Sequence, residues 1–158
     1  MDVLKIWQNL HNKPGGKWAF SKALCLKAPY FSSIHPKVEI LQPDLCQVSM
    51  KKTRQVQNHL GTVHAIAMCN MAELAGGTLT EVAVPATHRW IPKGMTVEYL
   101  QKATTDLTAS ATALAALDLS QPGPFPVEVN IHDQAGTLVF RAEIQMWVSP
   151  KKSGRGKG

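Results

Sequence analysis

The chain predicts an α+β fold in which an antiparallel sheet carries one long helix on a single face. Three observations predict it. The stretch Asn58 to Gly77 is strongly apolar at helical spacing. Runs before and after it alternate apolar and polar residues at period two. The last two such runs, 126–133 and 136–149, make the clearest hairpin in the chain.

In the helical stretch, Val63, Ala65, Ile66, Ala67, Met68, Cys69, Met71, Ala72, Leu74 and Ala75 cover every side of a 3.6-residue wheel, as in a helix enclosed by other structure. Thr62 is the expected N-cap, and Gly76-Gly77 the expected end. The segment is too short to cross a bilayer and carries His64 and Glu73. Glu73 is its one carboxylate. A buried carboxylate must be paired, hydrogen-bonded or kept for chemistry, because burying an unpaired charge is expensive.

Taken in order, Val3, Leu4, Ile6, Trp7 and Leu10 form an amphipathic first helix that Pro14-Gly15-Gly16 ends. Trp18, Phe20, Ala23, Leu24 and Leu26 form a second, running to Pro29. Together residues 1–36 are a helical cover, whose aromatic residues either pack as core or line a ligand pocket. From Lys37 the period becomes two. Val38 and Ile40, then Cys46, Val48 and Met50, read as a hairpin around Pro43-Asp44. After Gly77, Leu79–Val84 and Gly94–Ala103 read as strands, separated by a loop from Pro85 to Pro92 that concentrates His88, Arg89 and Trp90. The run Asp106 to Leu119 stays open: its alanines favour a helix, its alternation a strand. Gln121–Pro126 reads as a turn. In the final hairpin Val127, Val129 and Ile131 face one way, as do Leu138, Phe140, Ala142, Ile144, Met146 and Val148.

Composition sets the outer limits. The chain has 158 residues, 44% hydrophobic and 6% aromatic, the size and make-up of one globular domain. The net charge of +6 suggests nucleic acid, but Lys151, Lys152, Arg155 and Lys157 supply four of those charges, leaving +2. The tail 150–158 has no apolar side chain to pack and is expected to be disordered. No nucleic-acid or membrane partner is expected. Three cysteines, Cys25, Cys46 and Cys69, without CxxC spacing indicate neither a disulfide framework nor a zinc knuckle. Reduced thiols fit a cytoplasmic protein, and residues 1–10 lack the apolar core of a signal peptide. A metal site from His59, His64 and Glu73 has no third ligand at helical spacing and is not expected.

Asn58, His64 six residues on, the small Ala65, and Glu73 eight beyond that resemble the hotdog-fold acyl-CoA thioesterases, in particular the PaaI-like and 4-hydroxybenzoyl-CoA branches. The segment Arg89-Trp90-Ile91-Pro92-Lys93-Gly94-Met95 looks like a less characterised branch of that superfamily. The resemblance covers residues 37–149. It implies a sheet wrapped around one central helix, a homodimer or a dimer of dimers (a homotetramer), and hydrolysis of an acyl thioester of coenzyme A or an acyl carrier. No cofactor is implied, coenzyme A entering with the substrate. Ala65 stands where those enzymes have glycine, which keeps the backbone N–H but narrows the space beside it. Amides of the first helical turn would polarise the thioester carbonyl. Glu73 would act as base or nucleophile, and Asn58 would hold the water or the thioester. Lys51, Lys52 and Arg54, just before the helix, with Lys93 and Arg89, would either meet coenzyme A phosphates or be solvated loop charges. The alternative function is a hotdog protein that binds an acyl or aromatic ligand without turning it over.

Helix geometry adds a constraint independent of the resemblance. Ala65 and Glu73 are eight residues apart, roughly 12 Å along one helix at about 1.5 Å per residue. Reacting atoms must approach within about 3.5 Å. A site containing both residues therefore draws on two helices, and a two-fold axis that sets two copies antiparallel brings Glu73 of one beside Ala65 of the other.

Overall fold

The computed structural model describes residues 2–151. Of the basic tail expected at 150–158, residues 152–158 lie outside them. Residue 150 is not tail: it ends the last strand, and the Lys151 N–H donates to the Thr87 carbonyl at 2.9 Å.

The cover forms as its periodicity predicts. Helix α1 spans Val3–Leu10, capped by the Asp2 carboxylate, which accepts the Lys5 N–H at 3.1 Å. It stops before Pro14, and Gly16 opens α2, Gly16–Lys27, instead of closing α1. Trp7 and Phe20 lock the two helices edge to face with ring centroids 5.1 Å apart. A 3-10 segment, Pro29–Ile34, then leads to the sheet.

The sheet has six antiparallel strands: β1 Lys37–Leu41, β2 Cys46–Met50, β3 His88–Tyr99, β4 Leu107–Ala113, β5 Gly123–His132 and β6 Leu138–Pro150. Their spatial order is β1-β2-β4-β5-β6-β3, so β1 and β3 are its edges. The open stretch after Asp106 is settled as strand, with Leu107, Ala109 and Ala111 buried. Small residues there let the helix lie close. The expected turn at 121–126 is shorter, because β5 already begins at Gly123.

Helix α3, Ala65–Ala83, lies on one face of this sheet. It corrects the sequence reading in three ways. The N-cap is His64, not Thr62. Gly76-Gly77 does not end the helix, and the expected strand Leu79–Val84 forms its last turns and C-cap. The glycines serve close approach: a Cβ on Gly76 would come within 2.8 Å of Ile144 Cδ1, and one on Gly77 within 3.2 Å of the Trp90 ring. Each costs about 1 kcal/mol of helix propensity relative to alanine, which the contact with the sheet offsets. Thirdly, α3 is not enclosed on all sides, since Ile66 and Glu73 lie on an exposed stripe.

Strand β3 begins inside the predicted loop 85–92 and stops at Tyr99. Its alternation is hidden because most of the strand is exposed on both faces, and its register on β6 shifts between Pro92 and Gly94.

Candidate functional site at the head and bare stripe of the central helix

The segment before α3 is a knot of local hydrogen bonds. Asn58 ties it: its Oδ1 accepts from the N–H groups of Leu60 (3.0 Å) and Thr62 (3.2 Å), and its Nδ2 donates to Thr62 Oγ1 at 2.9 Å. Gly61, at φ +72°, makes the turn that this requires. Asn58 thus shapes the loop, and of its side-chain donors one Nδ2–H remains. The His64 N–H is spent on the Val56 carbonyl at 2.8 Å.

At the helix head, His64 Nδ1 accepts the Ile66 N–H at 3.0 Å. An accepting Nδ1 places the proton of the neutral ring on Nε2, leaving Nε2–H as a donor. The Ala65 N–H has no acceptor among the described residues. A donor pair, one imidazole N–H and one backbone amide, therefore stands at the positive end of the helix.

Glu73 lies two turns on, exposed, with no hydrogen bond or ion pair among the described residues. The other acid of the helix, Glu81, is committed: it accepts the Trp90 indole N–H at 2.8 Å and pairs with Lys27 at 3.9 Å. Within one chain the structure does not bring Glu73 to Ala65, the two being eight residues apart along α3. Glu73 instead shares its stripe with Ile66, beside the C-terminal end of β3, where Cys69 Sγ lies 3.5 Å from Tyr99 Oη. That bond with Cys69 raises the Tyr99 pKa.

The five expected phosphate-binding cations fall into two groups. Lys51 and Lys52 sit at the approach to α3, tethered to Asp106 by the Lys51 ammonium (3.8 Å) and the Lys52 N–H (2.8 Å), with Arg54 exposed nearby. Arg89 and Lys93 are on β3: Arg89 Nε donates to Ser149 Oγ at 3.3 Å, and Lys93 Nζ lies over the Trp147 ring at 3.7 Å. Arg89 thus meets a serine hydroxyl, not a surface carboxylate.

Sequence reasoning missed Asn70. It is 6% exposed, gives its Nδ2–H to Ser33 Oγ at 3.0 Å, and leaves its Oδ1 without a partner among the described residues. It lines a cleft of about 360 Å³ with His64, Gln55 and Gln57. An asparagine inside an apolar helix was the available signal, masked by the charged Glu73 nearby. Of the cysteines, Cys46 is pushed by burial up to about 12, which makes it inert, and burial raises Cys25 as well.

Residues 16–148 match the family described as domain of unknown function DUF4442. The chain belongs to the DUF4442 family. A crystal structure from a structural-genomics programme is 44% identical and covers 94% of this chain and 97% of its own, with a TM-score of 0.80. Two more distant structures carry the fold of this DUF4442 chain. A thioesterase from Haemophilus influenzae is 13% identical over 84% of this chain and 90% of its own, TM-score 0.73. A Pseudomonas aeruginosa protein described as a probable thioesterase is 22% identical over 84% and 95%, TM-score 0.74. No curated protein matches the chain. The DUF4442 domain here is thus a hotdog fold, with α3 as its central helix. No helix among the described residues is long and apolar enough to cross a membrane.

Proposed function

We propose that the protein hydrolyses an acyl thioester of coenzyme A or an acyl carrier, at a site that two copies build together. Asn58, His64 and Ala65 come from one subunit and Glu73 from its partner. One observation carries the reading: Glu73 is an unengaged carboxylate on the bare stripe of α3, alongside a strand with one side unpaired. Its spacing from the donor pair at the helix head fits an antiparallel second helix and no intrachain contact.

In this arrangement the thioester oxygen lies between the Ala65 N–H and His64 Nε2–H, which are already oriented when charge develops on it. Glu73 takes a proton from water as the water oxygen bonds to the carbonyl carbon. The carbon–sulfur bond then breaks, and the proton passes to the departing thiolate. If Glu73 attacks directly, an anhydride forms and water cleaves it, giving the same acid and thiol. The remaining Asn58 Nδ2–H is placed to hold the water. Lys51, Lys52 and Arg54, on the segment that leads to Val56, whose carbonyl takes the His64 N–H, are the group proposed to meet the phosphates. The alternative, a protein that binds the thioester without cleaving it, is favoured only by the Ala65 methyl beside the carbonyl position.

The test is complementation. Glu73→Gln keeps the side-chain shape and should lower kcat by about 10² to 10⁴ with little change in KM. His64→Asn keeps a helix-capping oxygen and removes the imidazole donor. Refolded together, the two inactive chains should recover about a quarter of the wild-type activity, one intact site forming in each mixed dimer. A Glu73→Gln enzyme within twofold of wild type would replace hydrolysis with the binding reading. Proven mixed dimers without recovery would sink the shared site.

A further inference from the structure

A second cavity, of about 380 Å³, opens between the N-terminal cover and α3, with Glu73 in its lining. Its walls are mainly apolar, with Leu24 and Phe31 from the cover, Leu74 from α3 and the Trp90 ring, while Lys27, Thr78 and Glu81 join Glu73 as its polar members. Gly77 lies in the lining between them. Any larger residue there would meet the indole, the Cβ alone coming within 3.2 Å of it. The end far from Glu73 is closed by Glu81, whose charge is already met by Lys27 and the indole N–H. From Glu73 to Glu81 is eight residues of helix, or about 12 Å. Trp90 and Glu81 also line the larger, more polar cavity beyond, so the indole is a partition between the two.

We propose that this cavity is the acyl pocket: the cover, whose aromatic residues the sequence leaves as either core or pocket lining, holds a straight, uncharged acyl chain whose thioester end lies at Glu73. The proposal rests on the hydrolase reading for the chemistry at Glu73, but not for the pocket itself. The occupant follows from the lining. An apolar hollow of this size is the kind that takes an apolar guest, and a carboxylate at the far end of the chain would meet Glu81. At about 30 Å³ per water-sized group, the volume takes a chain of about eight to twelve carbons. The residues that set its length are Leu24, Ala28 and Phe31, all in the cover.

Two variants of opposite sense test this. Ala28→Phe fills the pocket and should lower kcat/KM at least tenfold more for decanoyl-CoA than for acetyl-CoA. Leu24→Ala enlarges it and should move the preferred chain longer by two or more carbons. Thermal melting verifies that both fold, and calorimetry with decan-1-ol, an uncharged chain of the same length, reads the pocket without any turnover. Equal losses at every chain length in both variants, with decanol binding unchanged by Ala28→Phe, would overturn the pocket and leave the hydrolase standing. Decanol binding that Ala28→Phe abolishes, in a protein that cleaves no thioester, would keep the pocket and overturn the hydrolase.

Discussion

The two edges of the sheet are finished in opposite ways. Strand β1 is five residues long, irregular between Val38 and Ile40, and roofed by α2. The Val38 N–H goes to Ser21 Oγ of that helix at 2.8 Å, and Glu39 is held by Lys37 (3.0 Å) and Lys17 (3.4 Å). Strand β3 is twelve residues long and pairs on one side only. Its protections are confined to Pro92, Lys93 and the register shift before Gly94. From Gly94 to Tyr99 there is no proline or bulge, Met95 and Tyr99 are exposed, and the single charge, Glu98, is matched by Arg141 at 3.6 Å. Unpaired edges recruit strands unless shortened, bulged, charged or covered. The chain is guarded where the cover sits and open along β3, the edge at which the proposed second copy would dock.

The largest effect should come from closing the open edge. Met95→Lys with Tyr99→Lys puts like charges where two β3 strands would meet. It should turn the proposed dimer into a monomer by light scattering and cut thiol release by about 10² or more, as removal of Glu73 should. The same charge beside the guarded edge, Ser49→Lys on β2, the strand next to β1, should change neither. Dimers that survive the double lysine would show that the contact lies elsewhere.

Next comes a reporter already in the chain. If residue 65 of one helix lies beside residue 73 of the other, the midpoint, Cys69, lies on the dyad against its own copy. Diamide, which accepts the two thiol hydrogens, should join most chains into disulfide dimers on a non-reducing gel. Cys69→Ser should abolish the band, and Cys25→Ser should leave it. A band that persists without Cys69 would displace the axis.

Smaller effects belong to the guarded edge. Ser21→Ala strands the buried Val38 N–H and should cost about 1 to 3 kcal/mol in denaturant unfolding, with kcat unchanged. Glu39→Gln should cost under about 1 kcal/mol, since its partners Lys17 and Lys37 are 36% and 48% exposed and the pairs are screened by solvent. Burial works against its charge, yet bonds from Lys37, Ser49 and Lys17 hold its pKa below the usual carboxylate value. A depressed folded-state value means this stability is present above the unfolded pKa and lost as the pH falls through the folded one. Wild type and Glu39→Gln should therefore converge in stability in acid, and a gap that widens there would reverse the assignment.

The same contrast explains what was legible in the sequence. Strands β2, β5 and β6 bury one face and expose the other, so Val48, Val129 and Ile144 alternate visibly with polar neighbours. Strand β3 buries neither face in the single chain, and its pattern answers to surroundings that one sequence does not display. The second half of α3 was misread because Gly76-Gly77 carries a stop signal locally and a packing role globally, while Leu79–Val84 is rich in residues of good strand propensity. The reading of Asn58, His64, Ala65 and Glu73 as one site rests on spacing, which survives in one dimension. The walls of the acyl pocket come from residues 24–31, 73–81 and 90, and only folding adds them together. The orphaned Asn70 Oδ1 is likewise a fact about neighbours.

The glycine pair in α3 has a consequence for length. Where Gly76 and Gly77 sit, the helix is pressed so near Ile144 and Trp90 that it has no freedom to slide along the sheet. Were a residue inserted between Ala65 and Glu73, the helix head would advance by about 1.5 Å and turn by about 100°, with no slippage to absorb it. Because both copies of the proposed dimer would carry the same insertion, each of its two sites would set one displaced head against an undisplaced Glu73. The interval from Ala65 to Glu73 should thus tolerate substitutions far better than any change in the number of residues, a gauge cut to one length and used twice.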